Sequence, residues 1–545
     1  MHRHLEYPTC SLYDYLSQTA EKYPAYTALN YFGRRITFSQ LDSKIAECAA
    51  ALSAAGVKAG DSVSVCLPNI PEAVFLFYAI NRVGAVANMI HPMSAENEII
   101  RYLELTESKY LFAVDLIAKK VRCVARKVPL QCTVAVSVSE GMPLLTKGGY
   151  ALKMIGKSPD LNGLMTWKQF IGGAKKCRKT PNAHAAAEDC AAILYSGGTT
   201  GKPKGIMLTN YNFNALAVHS IDACGGLSPA DKMLSVMPIF HGFGLGVCIH
   251  TILTLGGTAV IQPKFSVKNF HKLLFRYRPN IIAGVPAIYE GMLVSRQFDG
   301  KDLSFLKCII SGGDSLSPST KKKLNAMLES HGCKTHVREG YGLTECVTGS
   351  CLMPDHSDNL ISVGLPYADT FYQIIDRGTD RVLPAGETGE IILRGPSVMK
   401  GYYKEPEETA EVLRRRDDGH IWLYTGDLGY MDEDGFVYFR QRRKRMIVSG
   451  GYNIYPQNIE EVINRHPQIV MCAVVGVPDR ILGEKVRAFA VPAKDADTDK
   501  LREELMKSLR KEIAAYALPR EIRFVEELPK TLVGKIAYTE LTAEK

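Results

Sequence analysis

Apolar and polar positions follow two rhythms along this chain. From about residue 36 to 270 helical and strand spacing take turns. AECAAALSAAG (46–56) has helical spacing and runs into SVSVCLP (62–68), a short strand; PEAVFLFYAINRVGA predicts the next helix and VANMI the next strand. HKLLFRYRPNIIAGVPA (271–287) and LKCIISGGDSL (306–316) repeat the unit. Strand, helix, strand in this order predicts parallel sheet covered by helices. The most apolar stretch, LGVCIHTILTLGGTAVI (245–261), contains His250 and a Gly-Gly turn, so it predicts a buried helix followed by a strand and not a membrane span.

After about residue 365 the rhythm shortens. YQIIDRGTDRVLPAGETGEIILRG and GYMDEDGFVYFRQ are alternating strands joined by Gly/Asp turns, the pattern of a small β-rich subdomain. From about 446 onward a compact α+β unit is expected. One helix starts at Pro456 with Ile459, Val462 and Ile463 on one face. Another carries the stripe Leu501, Leu505, Leu509 and Ile513 and ends before Pro519. Two strands, MCAVVGV and VRAFAVP, lie between them. The basic run RQRRKR (440–445) holds the expected boundary, giving domains 1–443 and 444–545.

Length and composition narrow the class. A chain of 545 residues exceeds one core, so three or four domains or subdomains are expected. The 46% hydrophobic and 23% charged fractions are those of a globular protein. The opening MHRHLEYPTCSLYDYL has no apolar core of a secretory leader. The 14 cysteines are scattered without metal-ligand spacing, which predicts free thiols and a cytoplasmic protein. The net charge of +9 is modest and gives no reason to expect a nucleic-acid partner. It is uneven, since residues 116–183 carry many Lys and Arg against only Glu140 and Asp160. That bias reads as a solvated face or, alternatively, as peripheral attraction to an anionic membrane.

The chemistry is announced by ILYSGGTTGKPKGIML (193–208). A nucleotide P-loop needs G-x-x-x-x-G-K-[ST], whose final hydroxyl ligates Mg²⁺. Here the glycine spacing is one residue short and Lys202 is followed by Pro203. Phosphate is still the expected ligand. Gly197, Gly198 and Gly201 let backbone N–H groups turn inward, while Ser196, Thr199, Thr200, Lys202 and Lys204 add donors and charge. No G-x-S-x-G nucleophile elbow occurs, and GGDSLS (312–317) misses it.

YSGGTTGKPKG resembles the signature of the adenylate-forming (AMP-binding) enzymes, which include acyl-CoA synthetases, peptide-synthetase adenylation domains and beetle luciferases. The resemblance continues in order through FHGFG (240–244), REGYGLTE (338–345), GETGEIILRG (386–395), YTGD (424–427), RRKRMIVSGGYNIYP (442–456) and PKTLVGK (529–535). It is most similar to bacterial-type fatty acid–CoA ligases. The implied fold is α/β: a large N-terminal domain of two helix-covered sheets plus the β-rich subdomain, followed by a small mobile C-terminal lid.

The resemblance implies two steps, adenylation of a carboxylate by ATP with loss of pyrophosphate and then attack of a thiol. It assigns Lys535 to bridge the carboxylate and the α-phosphate, Glu345 to Mg²⁺ and Thr344 to the α-phosphate. Tyr341, between Gly340 and Gly342, is expected against adenine, with Gly312, Gly313 and Asp314 completing the nucleotide site. Asp427 is expected on the ribose with Arg442 as its cationic partner. Lys444 stands at the hinge, and Gly450 and Gly451 would line the coenzyme A channel. Three departures from the family pattern fall in the C-terminal part of the chain: Gln441 and Arg445 replace a glycine and an acid, and Tyr538 stands where an arginine is common.

For the acid, amino-acid-activating relatives place an aspartate just after the FHGFG equivalent. Here Leu245 and Gly246 follow Gly244, with no acid to hold a buried ammonium. Phe240, His241, Gly242, Gly284 and Val285 are the expected acyl pocket. The glycines of 242–246 open an apolar slot or permit close packing, and His241 is a gate or a core histidine. A medium- or long-chain fatty acid is expected first and an aryl or bile-type acid second. SGGYNIYP points to coenzyme A as the thiol, with a separate acyl carrier protein as the alternative. A catalytically silent acyl-adenylate binder and luciferase-like oxygen chemistry share the scaffold.

Overall fold

The computed structural model describes residues 4–177, 181–196, 204–442, 445, 447–449, 452–454, 456–480, 482–513, 517–531 and 535–543. Two large sheets form the body. The first has nine strands; Thr27–Tyr31, Thr258–Ile261, Lys232–Ser235, Ile281–Gly284, Cys308–Ser311 and Val337–Tyr341 run parallel through its centre. Antiparallel strands close both edges. The second has eight strands, parallel from Met165–Thr166 through Cys132–Val136, Tyr110–Val114, Ser62–Cys66 and Val86–Met89 to Cys190–Ser196.

Most helices between these strands bury their apolar faces in one continuous core that joins both sheets, while Glu96–Leu105 and Ala118–Lys127 pack in a second cluster on the eight-stranded sheet. Pro71–Arg82 is buried nearly all round, which is why its sequence shows no polar stripe. The apolar stretch at 245–261 becomes a helix followed by the strand Thr258–Ile261, as its pattern predicts. Its first part, Phe243–Thr251, is wound as a π-helix. Buried His250 is satisfied there by Tyr78 Oη and Asn214 Oδ1, each 2.9 Å away.

The β-rich segment forms a six-stranded antiparallel sheet that ends with Val437–Arg442. A separate five-stranded sheet begins at Ile447–Ser449. Along its strand Ile469–Asp479, Ala473, Val475 and Val477 face a small cluster with Phe489, Leu528 and Leu541. Cys472 and Val474 face the helices, where Ile459, Val462, Ile463, Leu501, Leu505 and Leu509 pack as the spacing predicts. Ile513 falls just past the end of the helix Thr498–Glu512.

Candidate active site

The glycine-rich loop does not open a helix, as a P-loop would. Its flanks, Cys190–Ser196 and Lys204–Thr209, pair antiparallel, with Ser196 opposite Lys204. Gly197, Gly198, Thr199, Thr200, Gly201 and Lys202 lie outside the described residues, as do Lys444, Gly450 and Gly451; for Ser196 and Arg442 only the backbone is described.

The remaining motifs converge on one edge of the nine-stranded sheet. Four neighbouring parallel strands end at Ser235, Gly284, Ser311 and Tyr341. Their carboxyl ends lead into Phe240–Gly244, Val285, Gly312–Asp314 and Gly342–Glu345, residues that sequence separates by about a hundred positions. Such strand ends are where open α/β sheets receive ligands.

Lys535 reaches this edge from the C-terminal unit. A Cβ built on Gly313 would lie 3.4 Å from Lys535 Cε and 3.9 Å from its Nζ. Gly313 has φ +84°, a conformation that costs a side-chain-bearing residue both strain and the lysine's space. The structure thus brings Lys535 and Gly313 together. His241 lies within the lysine's field. Burial, then the Lys535 ammonium, then His91 push its pKa down to about 4, so the imidazole is neutral at physiological pH.

Glu345 sits in the short 3-10 turn Thr344–Cys346, with Thr344 buried beside it. The next two residues, Val347 and Thr348, have φ +50° and +74°, strained values that hold the turn in one shape. Glu345 Oε1 accepts a hydrogen bond from Tyr402 Oη at 3.0 Å, and Lys204 Nζ stands 4.8 Å over the Tyr402 ring. The loop's last lysine and the expected metal carboxylate therefore share one tyrosine. Among the described residues no three His, Cys, Asp or Glu side chains cluster as a metal cage. A lone carboxylate beside phosphate-binding groups suits Mg²⁺, which keeps most of its shell as phosphate oxygens and water. Mg²⁺ there would neutralise phosphate charge.

Tyr341 and Asp427 are also joined: Tyr341 Oη donates to Asp427 Oδ2 at 2.7 Å, and both are buried. Asp427 pairs with Arg442 across neighbouring strands, so the two expected ribose partners lie side by side in register. Phe439 lies tilted against the tyrosine, its ring centre 5.8 Å away.

The glycines after His241 divide in role. A Cβ on Gly244 would fall 2.0 Å from Pro238 O, and one on Gly246 2.7 Å from Leu216 Cδ2, so these two serve close packing. Gly242 faces Thr348 Oγ1, bringing the acyl motif against the strained turn, and Gly284 faces Ile288. Phe240 lies tilted against His91, ring centres 4.2 Å apart. Sequence reasoning missed His91 and Tyr402; each follows or forms a strand whose site-facing end is set by pairing, which spacing does not reveal.

Arg445, which departs from the family pattern, is turned into the C-terminal unit. It pairs with Glu460 and lies 3.6 Å over the ring of Tyr538, another of the departures.

A lysine over a glycine cradle, a carboxylate within reach of a phosphate loop and a buried Asp–Tyr pair suit one task, joining a carboxylate to the α-phosphate of a nucleotide. The architecture is that of an ATP-dependent acid-activating enzyme made of a large and a small unit. The chain belongs to the AMP-binding enzyme family: the family model matches residues 16–403, and that of the AMP-binding enzyme C-terminal domain matches 458–535. A long-chain-fatty-acid–CoA ligase of Bacillus subtilis is 34% identical over 99% of this chain and 96% of its own. A feruloyl-CoA synthase of an Amycolatopsis species is 30% identical over 95% and 96%. Among solved structures, ATP-bound MatB from Rhodopseudomonas palustris superposes with a TM-score of 0.82 at 27% identity, covering 97% of this chain and 98% of that one. This protein is an AMP-forming acid–thiol ligase that uses ATP, Mg²⁺ and coenzyme A.

A test of the Glu345 position follows from the shared tyrosine. Glu345→Gln keeps the contact with Tyr402 but removes the charge, so pyrophosphate exchange is expected to fall about a hundredfold and to demand more Mg²⁺. Titrating Mg²⁺ in the exchange assay checks this; an unchanged Mg²⁺ requirement excludes Glu345 as the ligand.

Proposed function

We propose that the enzyme activates medium- or long-chain fatty acids as their coenzyme A thioesters. The observation that carries this reading is the surround of His241: an imidazole kept neutral by burial, Phe240, Phe243 and Val285 nearby, and no carboxylate between residues 240 and 246 to pair an ammonium. The relative from Bacillus subtilis, named for long-chain fatty acids, agrees with it. An aryl acid is the second reading, favoured by the feruloyl-CoA synthase relative. Exchange of pyrophosphate into ATP over a panel of fatty, arylpropenoic, bile-type and amino acids tests both. Exchange with chains of eight or more carbons (roughly the medium-chain class, whose apolar burial drives binding) is expected. Exchange with arylpropenoic acids alone overturns it.

In this reading Lys535 and Thr344 orient the carboxylate and α-phosphate, Glu345 holds Mg²⁺, and Ser196 to Lys204 grip the departing pyrophosphate. Asp427, Arg442 and Tyr341 hold ribose and adenine beside Gly312, Gly313, Asp314, Gly340 and Gly342. Phe240, His241, Gly242, Gly284 and Val285 line the acyl site. Domains 1–443 and 444–545 then turn about Lys444, withdrawing Lys535 and bringing Gly450 and Gly451 to the thiol channel. A basic face at the hinge also suits an acidic acyl carrier protein, and a thiol panel separates the two acceptors. No described helix is long and apolar enough to cross a membrane; cytoplasmic residence with peripheral membrane contact fits the basic 116–183 segment.

His241 offers a further check. Its pKa of about 4 lies below the ordinary 6.5, so the unfolded chain takes up the proton first as pH falls. Its share of stability is full above pH 6.5, is lost between about 6.5 and 4, and is constant below. By NMR its ring should titrate near 4, and Lys535→Ala should move that value upward by removing a neighbouring cation. A ring that titrates near 6.5 in both proteins contradicts the placement of Lys535.

A further inference from the structure

The helix Leu144–Lys153 (LLTKGGYALK) buries none of its residues fully. Leu144, Leu145 and Leu152 are 90%, 93% and 70% exposed, and Ile155 just past its end is 72% exposed. At helical spacing these four share one side, while Tyr150 on the opposite side packs against the main core. The apolar face therefore points away from the protein by construction, since the helix is seated through its other face. Gly148 and Gly149 have open space around them, so no packing demands them, and they weaken a helix already short for water.

Charge says what covers this face. Residues 116–183 hold thirteen Lys and Arg against two acids, an excess larger than the net charge of the whole chain. Both acids are already paired, Glu140 with Lys147 at 3.8 Å and Asp160 with Arg122 at 3.0 Å. Lys153 and Lys157 are exposed beside the apolar stripe. Apolar side chains flanked by lysines with long flexible stems are the pattern of a helix lying in a bilayer interface, its lysines among anionic headgroups.

We propose that Leu144–Lys153 and the turn through Lys157 form a peripheral docking surface for an anionic lipid bilayer. The helix connects Cys132–Val136 to Met165–Thr166, the last two strands at one edge of the eight-stranded sheet. The docking does not depend on which acid is activated.

Vesicle sedimentation with the full chain, without substrate, tests it. The protein should bind phosphatidylcholine–phosphatidylglycerol vesicles, and far less to phosphatidylcholine alone, with binding falling as salt rises. The variant Leu144→Ser, Leu145→Ser, Leu152→Ser, Ile155→Ser should lose about tenfold or more of that binding with pyrophosphate exchange unchanged. Lys153→Glu with Lys157→Glu should weaken anionic-vesicle binding alone, and it decides the matter if the serine variant misfolds. Failure of the native protein to bind, equal binding by both variants, or a native dimer that the serine variant splits would each overturn the proposal, the last by making the face a contact between copies.

Discussion

Lys535→Ala is expected to lower ATP–pyrophosphate exchange by about two to three orders of magnitude, or about 3–4 kcal/mol of barrier. Thioester formation from supplied acyl-adenylate should stay within a few-fold of normal. The first expectation rests on electrostatics. Adenylation brings a carboxylate against a phosphate, and in the proposed reading the Lys535 ammonium is fixed beside both before they meet. Two hydrogen bonds tie its backbone to Thr531: Thr531 N donates to Lys535 O at 2.7 Å, and Lys535 N to Thr531 Oγ1 at 3.2 Å. The stem then crosses Gly313. The second expectation rests on the proposed rotation, which removes Lys535 before the thiol enters. If both half-reactions fall equally in a folded variant, the two-conformation scheme is wrong. Gly313→Ala should mimic part of the loss, because alanine is strained at φ +84° in the turn that lies against the Lys535 stem.

Much of this arrangement was legible in the sequence, for physical reasons. Helix and strand spacing identified Pro71–Arg82, Cys308–Ser311 and the stripe Leu501, Leu505, Leu509 because each buries a regular face. The motifs were legible because phosphate and carboxylate chemistry demand unusual local compositions. What spacing does not carry is the meeting of distant segments. Tyr402 meets Glu345 only because Gly401–Tyr402 pairs with the strand after the phosphate loop. Gly244 and Gly246 read equally as slot or packing until Pro238 and Leu216 are seen against them. The π-helix was invisible because its apolar composition fits any buried helix.

Two of the departures, Arg445 and Tyr538, meet in space, and that meeting predicts the largest effect on stability. Glu460→Ala should cost the C-terminal unit about 3 kcal/mol, read as a lower melting transition and faster amide exchange across 456–492. Glu460 accepts from Arg445 and, at 2.8 Å, from the backbone N–H of Val474. Its loss strands a largely enclosed guanidinium and a buried amide together. Arg445→Met with Glu460→Met should recover much of the loss, since removing both charges leaves no ion unpaired. A cost below about 1 kcal/mol for Glu460→Ala would place the pair among exposed ion pairs of little weight. The family pattern has an acid where Arg445 stands and an arginine where Tyr538 stands; here the cation comes from the hinge side and an aromatic face receives it. Tyr538 begins the helix Tyr538–Ala543, three residues beyond Lys535. Loosening Arg445 therefore frees the segment that carries the lysine, so Glu460→Ala should slow adenylation as well as destabilise the fold, although Glu460 touches neither acid nor nucleotide.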